Sequence, residues 1–293
     1  MVASKLVQIP RRFLLGAKWY GAEWYMTVIG GIIVASILII SVLSAFYPKM
    51  APYNPEALVG DPFLSPNAKH LMGTDNLGRD IFSRVIYGAK VVMSIALISS
   101  AFSALVGVPL GLLSGFIGGK LDRVLSLIMD SIYSFPGLIL AIAMAAMLGP
   151  GIVNMSIAIA VVYIPTYFRM VRGQVLSVKE ELYVEAAKSL GARAATILRL
   201  YVFPNVLPSI VVVFSLNIAD AILTEAGLSF LGLGIDPSKP DWGYDLSKGK
   251  AFLPGGYWWI ITFPGMMIAL VALGFSMLGE GLNEILNPRL TET

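Results

Sequence analysis

Apolar runs of about twenty residues, the length needed to cross a bilayer core, alternate with polar segments along most of the chain. They fall at roughly 28–46, 90–113, 124–148, 152–168, 207–230 and 257–278. Their length and lack of charge predict six membrane-spanning helices. The fold class read from this pattern is an all-α polytopic membrane protein. Phe135-Pro136-Gly137 should kink or break the third run, and Pro165 interrupts the fourth. Gly107, Gly111, Gly115 and Gly119 recur every four residues. That ladder predicts a smooth helix face for close packing in lipid.

The polar segments are unequal. The densest charge lies in 177–204, between the fourth and fifth runs. Ser177 followed by Glu180 reads as a capping box, so a helix should start there. Gly191 can take the positive φ that closes it. A second helical run from Ala192 should end by Phe203, ahead of Pro204. Leu182, Ala186, Ser189 and Leu190 fall on one face of the first helix, and the small Ala186, Ala187 and Ser189 would let another backbone approach. Glu185 offers an acceptor beside them, so the surface suits docking into a groove on a partner protein.

The remaining segments set the domain order: a tail at 1–27, a first span at 28–46, an extracytoplasmic segment at 47–88, a core at 89–282 and a tail at 283–293. The first tail carries Lys5, Arg11, Arg12 and Lys18, then an interfacial belt of Trp19, Tyr20, Trp24 and Tyr25. The apolar run that follows is too long and starts too late for a cleaved signal peptide, and Arg11-Arg12 is only a faint twin-arginine pattern. Prolines 48, 52, 55, 62 and 66 favour a looping outer segment. A short turn at 114–123 and an outer loop holding Asp241-Trp242-Gly243 complete the set. Thirteen of the 21 Lys and Arg fall in the segments that six spans place on one side with both termini. That bias puts the termini and 177–204 in the cytoplasm.

Composition narrows the chemistry. The chain is 57% hydrophobic and 13% charged, with a net charge of +3 and no cysteine. Thiol chemistry and disulfides are excluded, and no basic stripe suggests nucleic acid. Gly73 to Gly78 has P-loop spacing, but Arg79-Asp80 stands where Lys-Ser/Thr is required. No other Gly-Lys pair carries the preceding glycine, so no nucleotide-binding loop is present. His70 is the only histidine and reads as a locally bonded loop residue; Asp75, Arg79 and Asp80 read as structural. Ionisable groups within the spans are the other candidates. Asp130 should pair with an arginine of a neighbouring helix, while Asn217, Asp220 and Glu225 form a candidate intramembrane network or pathway.

Glu185-Ala186-Ala187, three residues, Gly191, nine residues and Tyr201-Val202-Phe203-Pro204 together resemble the EAA loop of ABC importer permeases, with aromatic residues where aliphatic ones are usual. His70-Leu-Met-Gly-Thr-Asp-Asn-Leu-Gly-Arg-Asp80, Glu225-Ala-Gly-Leu-Ser-Phe-Leu-Gly-Leu-Gly234 and Asn287-Pro288-Arg289-Leu290 are similar to the oligopeptide, dipeptide and nickel branch. The resemblance implies a type I ABC importer permease in the inner membrane of a prokaryote. It implies a second related permease, two cytoplasmic ATPases that bind ATP and Mg, and an extracytoplasmic solute-binding protein. It also implies that Glu185, Ala186, Ala187, Ser189, Leu190 and Gly191 couple to an ATPase, and that the chain itself needs no cofactor. Peptides are the first expected substrate and oligosaccharides the second; nickel complexes and glutathione also occur in the branch. A gradient-driven transporter using Asp130, Asp220 and Glu225 as a relay is the rival class, but clear inverted-repeat symmetry is missing.

Overall fold

The structure, a computed structural model, describes residues 21–47 and 49–286. Lys5, Arg11, Arg12, Lys18, Trp19, Tyr20 and the 287–290 motif lie outside them. The helices are α1 (Ala22–Phe46), α2 (Ile81–Ile117), α3 (Gly119–Tyr133), α4 (Gly137–Leu148), α5 (Ile152–Val178), α6 (Leu182–Ser189), α7 (Ala194–Ile197), α8 (Phe203–Phe230), α9 (Trp242–Lys250) and α10 (Trp259–Leu286). A π-helical turn, Leu198–Val202, joins α7 to α8. Five spans are continuous by length and apolarity, α7 and α8 counting as one, and the bent pair α3–α4 supplies a sixth.

The third span breaks where the sequence predicts. The chain turns by 87° between α3 and α4, with Pro136 at the N-cap of α4. Other boundaries differ from expectation. Helix α2 begins at Ile81 rather than at residue 90, because Asp80 caps it: its Oδ2 accepts from the Ser83 amide at 2.8 Å and the Ser83 hydroxyl at 2.6 Å. Pro165 does not interrupt α5, which runs on through Arg169 and Arg172 to Val178. Nor does Pro204 end the second helical run. The π turn just before it absorbs the change in hydrogen bonding, and α8 continues to Phe230.

Small residues let the spans touch. A Cβ on Gly107 would lie 2.7 Å from the Ile164 carbonyl oxygen, and one on Gly111 2.7 Å from that of Phe168. Gly115 meets Val175 in the same way, and the Ser103 hydroxyl donates to the Ala160 carbonyl at 2.9 Å. The ladder is therefore the α2–α5 seam. Gly119 is no part of it: it opens α3 at φ 65°, with open space where a Cβ would go. Gly30 and Gly274 bring α1 against α10 through a second seam.

The proline-rich segment before α2 is folded rather than loose. His70 Nδ1 lies 2.9 Å from Asp80 Oδ1, and its ring stacks on Tyr53 at 5.0 Å. Asp75 and Arg79 pair at 2.6 Å, and Trp259 Nε1 donates to the Thr74 carbonyl at 3.1 Å. Arg84, 1% exposed, spends all five N–H groups on Asp245 and the carbonyls of Pro55, Ser238 and Lys239. The loop expected to hold Asp241-Trp242-Gly243 instead contains α9. Trp242 is fully buried, donates to the Val85 carbonyl at 3.0 Å and lies against Gly88.

Candidate coupling site and intramembrane polar groups

Helix α6 is an eight-residue helix between the end of α5 and α7. Its start differs from the sequence reading. Ser177 lies inside α5 and forms no capping box; α6 opens after Glu181, which makes no side-chain cap. The reason is visible in the apolar stripe. Val171, Val175, Val184, Ala187, Ile197, Val202 and Val206 form one buried cluster, which keeps α5 helical through Ser177 to Val178 and then seats α6.

The helix closes as expected at Gly191, whose φ is 80°. The Gly191 amide donates to the Lys188 carbonyl at 2.9 Å and the Ala192 amide to the Ala187 carbonyl at 3.0 Å, a Schellman closure. Two faces result. Val184 is 0% and Ala187 6% exposed, so Ala187 faces its own chain and not a partner. Leu182 is 81% and Leu190 89% exposed, with Glu185, Ala186 and Ser189 exposed between them. An apolar residue at each end of a small-residue strip, with an acid beside it, is a surface for shallow helix-in-groove contact.

The four intramembrane candidates do not form one network. Asp130 pairs with Arg169 of α5 at 2.6 Å, as expected, but both side chains are about half exposed. Asp122 likewise takes Arg172 through two contacts, at 2.5 Å and 2.8 Å, so the two pairs tie α3 to α5. Asn217 is buried, and its Nδ2 has no hydrogen-bond partner among the described residues. Asp220 is exposed on α8 and has no ion-pair partner among the described residues. One turn on, Thr224 donates to the Asp220 carbonyl at 2.8 Å and meets the Tyr163 hydroxyl at 2.8 Å. Glu225 points the other way, is 0% exposed and contacts Ser229.

Residues 107–292 match the family described as binding-protein-dependent transport system inner membrane component. The dipeptide transport system permease protein DppC of Alkalihalophilus pseudofirmus is 38% identical, over 90% of this chain and 86% of that protein. The chain belongs to this permease family. The glutathione transport system permease protein GsiD of Pectobacterium atrosepticum is 38% identical over 87% of the permease and 85% of GsiD. An inward-facing structure of the MetNI methionine ABC transporter superposes with a TM-score of 0.56, covering 67% of the permease and 93% of that chain at 20% identity. That likeness gives the type I importer permease fold. The permease is thus a multi-pass membrane protein of an ABC import system. Sequence reasoning missed Arg84, Asp241 and Asp245, which fasten α2 to α9 and the loop before it. Asp241 had a readable signal, since it precedes α9 as an N-cap and accepts from the Tyr244 amide at 3.0 Å.

Proposed function

We propose that the permease forms half of the translocation pathway of an ATP-driven importer of short peptides. It works beside a second, related permease. Two cytoplasmic ATPases supply the energy and an extracytoplasmic protein delivers the solute. Both termini and α6 lie in the cytoplasm, the orientation favoured by the distribution of Lys and Arg. Dipeptide and glutathione permeases among the relatives support the peptide class, since glutathione is itself a short peptide.

The observation that carries this reading is the two-faced α6. Its inner face shares one apolar cluster with the ends of α5 and α8, so the three move together. Its outer face, Leu182, Glu185, Ala186, Ser189 and Leu190, meets nothing of its own chain that would bury it. When an ATPase groove holding that face shifts, α5 and α8 must tilt with it. The change has a driving force only if ATP and loaded binding protein favour different states. Asp220, a charge that lipid would not tolerate, is placed on the pathway or against the second permease.

Leu190→Asp tests the docking face. Leu190, the C-cap of α6, is the most exposed large apolar residue of this face, so the span bundle should keep its thermal midpoint. Co-purification of the ATPase subunits and solute-stimulated ATP hydrolysis should both fall at least tenfold, the size of a loss of about 1.4 kcal/mol. Unchanged co-purification and stimulation would remove α6 as the docking element.

A further inference from the structure

The seam between the outer end of α8 and the start of α9 contains two carboxyl groups and one hydroxyl. Ser229 Oγ lies 2.8 Å from Asp241 Oδ2 and 3.2 Å from Glu225 Oε1. Both carboxyls are 0% exposed. A serine hydroxyl carries a single proton, so it cannot donate to both. The second contact closes only if a carboxyl supplies a proton of its own. The other oxygen of Glu225, Oε2, is buried with no hydrogen-bond partner among the described residues. An unpaired oxygen in such a place is tolerable on a neutral carboxyl and costly on a charged one.

Among the described residues, no cation is placed to offset a second negative charge there. Arg84 on α2 is taken up by Asp245 and three carbonyls. Lys250 on α9 sits over the Phe230 ring at 5.2 Å. From α5, Tyr163 bonds Thr224, and Asp220 lies exposed on α8 itself. The groups also cannot move apart freely. A Cβ on Gly243 would lie 2.5 Å from the Ala226 carbonyl oxygen, so the backbones of α8 and α9 are in contact; Gly234 closes on Ser229 Oγ from another side.

We propose that Glu225, Ser229 and Asp241 hold one proton in common at neutral pH, a protonation-dependent latch between the outer end of α8 and α9. Removing the proton puts two like charges into a dry seam and loosens it. The seam is therefore held while that proton is present and loosens when it is lost.

The test uses the permease purified with its partner subunits in lipid nanodiscs, from about pH 6 to about pH 9.5, where free carboxylates are already ionised. Infrared titration of the wild type should show a protonated-carboxyl band that disappears at alkaline pH, with a matching fall in thermal midpoint. Glu225→Gln, neutral and still a donor, should lack the band and unfold with a flatter pH profile. Absence of such a band in the wild type overturns the latch, whether or not the variant folds. So does an unchanged band and alkaline fall in Glu225→Gln. The infrared signal reads a proton and not import, so it decides the latch even if the peptide reading fails.

Discussion

The corner around Arg84 and the helix α6 are opposite ways of using charge and small residues at the two ends of one bundle. Around Arg84 nothing is spare: the guanidinium has five acceptors, Trp242 is sealed against Gly88, and Asp80, Asp241 and Asp245 are buried. On α6 half the surface is left over, including two leucines that are more than four-fifths exposed. A buried guanidinium needs every donor met before it can be tolerated, so the outer corner is self-contained. An exposed leucine pair flanking small residues is complete only with a second surface. The permease is self-contained around Arg84 and incomplete at α6.

Arg84→Ala breaks the first half of that contrast most severely. It leaves Asp245 buried without its partner and opens three carbonyls, at a cost of about 3–5 kcal/mol. Thermal unfolding in detergent should show a large drop or no folded protein. Gly111→Val comes next. Its Cβ would press on the Phe168 carbonyl and on Val171, so the α2–α5 seam must open, costing about 1–3 kcal/mol in the same measurement. Asp130→Asn is the smallest. Its pair with Arg169 is half exposed, so the loss should stay within about 1 kcal/mol. An Asp130→Asn loss as large as that of Arg84→Ala would mean that the inner pairs are as closed as the outer corner.

Legibility followed the scale of each signal. Apolar runs and the Phe135-Pro136-Gly137 break were readable because bilayer length and proline chemistry are local constraints. The ends of the spans were not. Helix α2 gains its first turns because Asp80, itself held by His70, caps a polar start that hydropathy discards. Ser177 and Glu180 had the spacing of a capping box, but tertiary burial of Val171 and Val175 kept α5 helical through Ser177, and Glu180 falls in the turn between α5 and α6. Ala187 looked like a docking residue because small residues serve either face; only the fold distinguishes its buried side from that of Ala186. The grouping of Glu225 with Asp130 and Asp220 treated depth in the membrane as proximity. Glu225 turns toward α9, a helix hidden in a proline-flanked loop, while Asp220 stays exposed.

The central claim is that α6 transmits motion as a rigid unit with α5 and α8, and Gly191 is where that unit can be broken without touching the spans. The residue has φ 80° and donates to the Lys188 carbonyl; proline can do neither. In the reconstituted transporter, Gly191→Pro should leave the spans folded and basal ATP hydrolysis in place. It should abolish the stimulation of hydrolysis by solute-loaded binding protein. Full stimulation in a folded Gly191→Pro transporter would contradict the account.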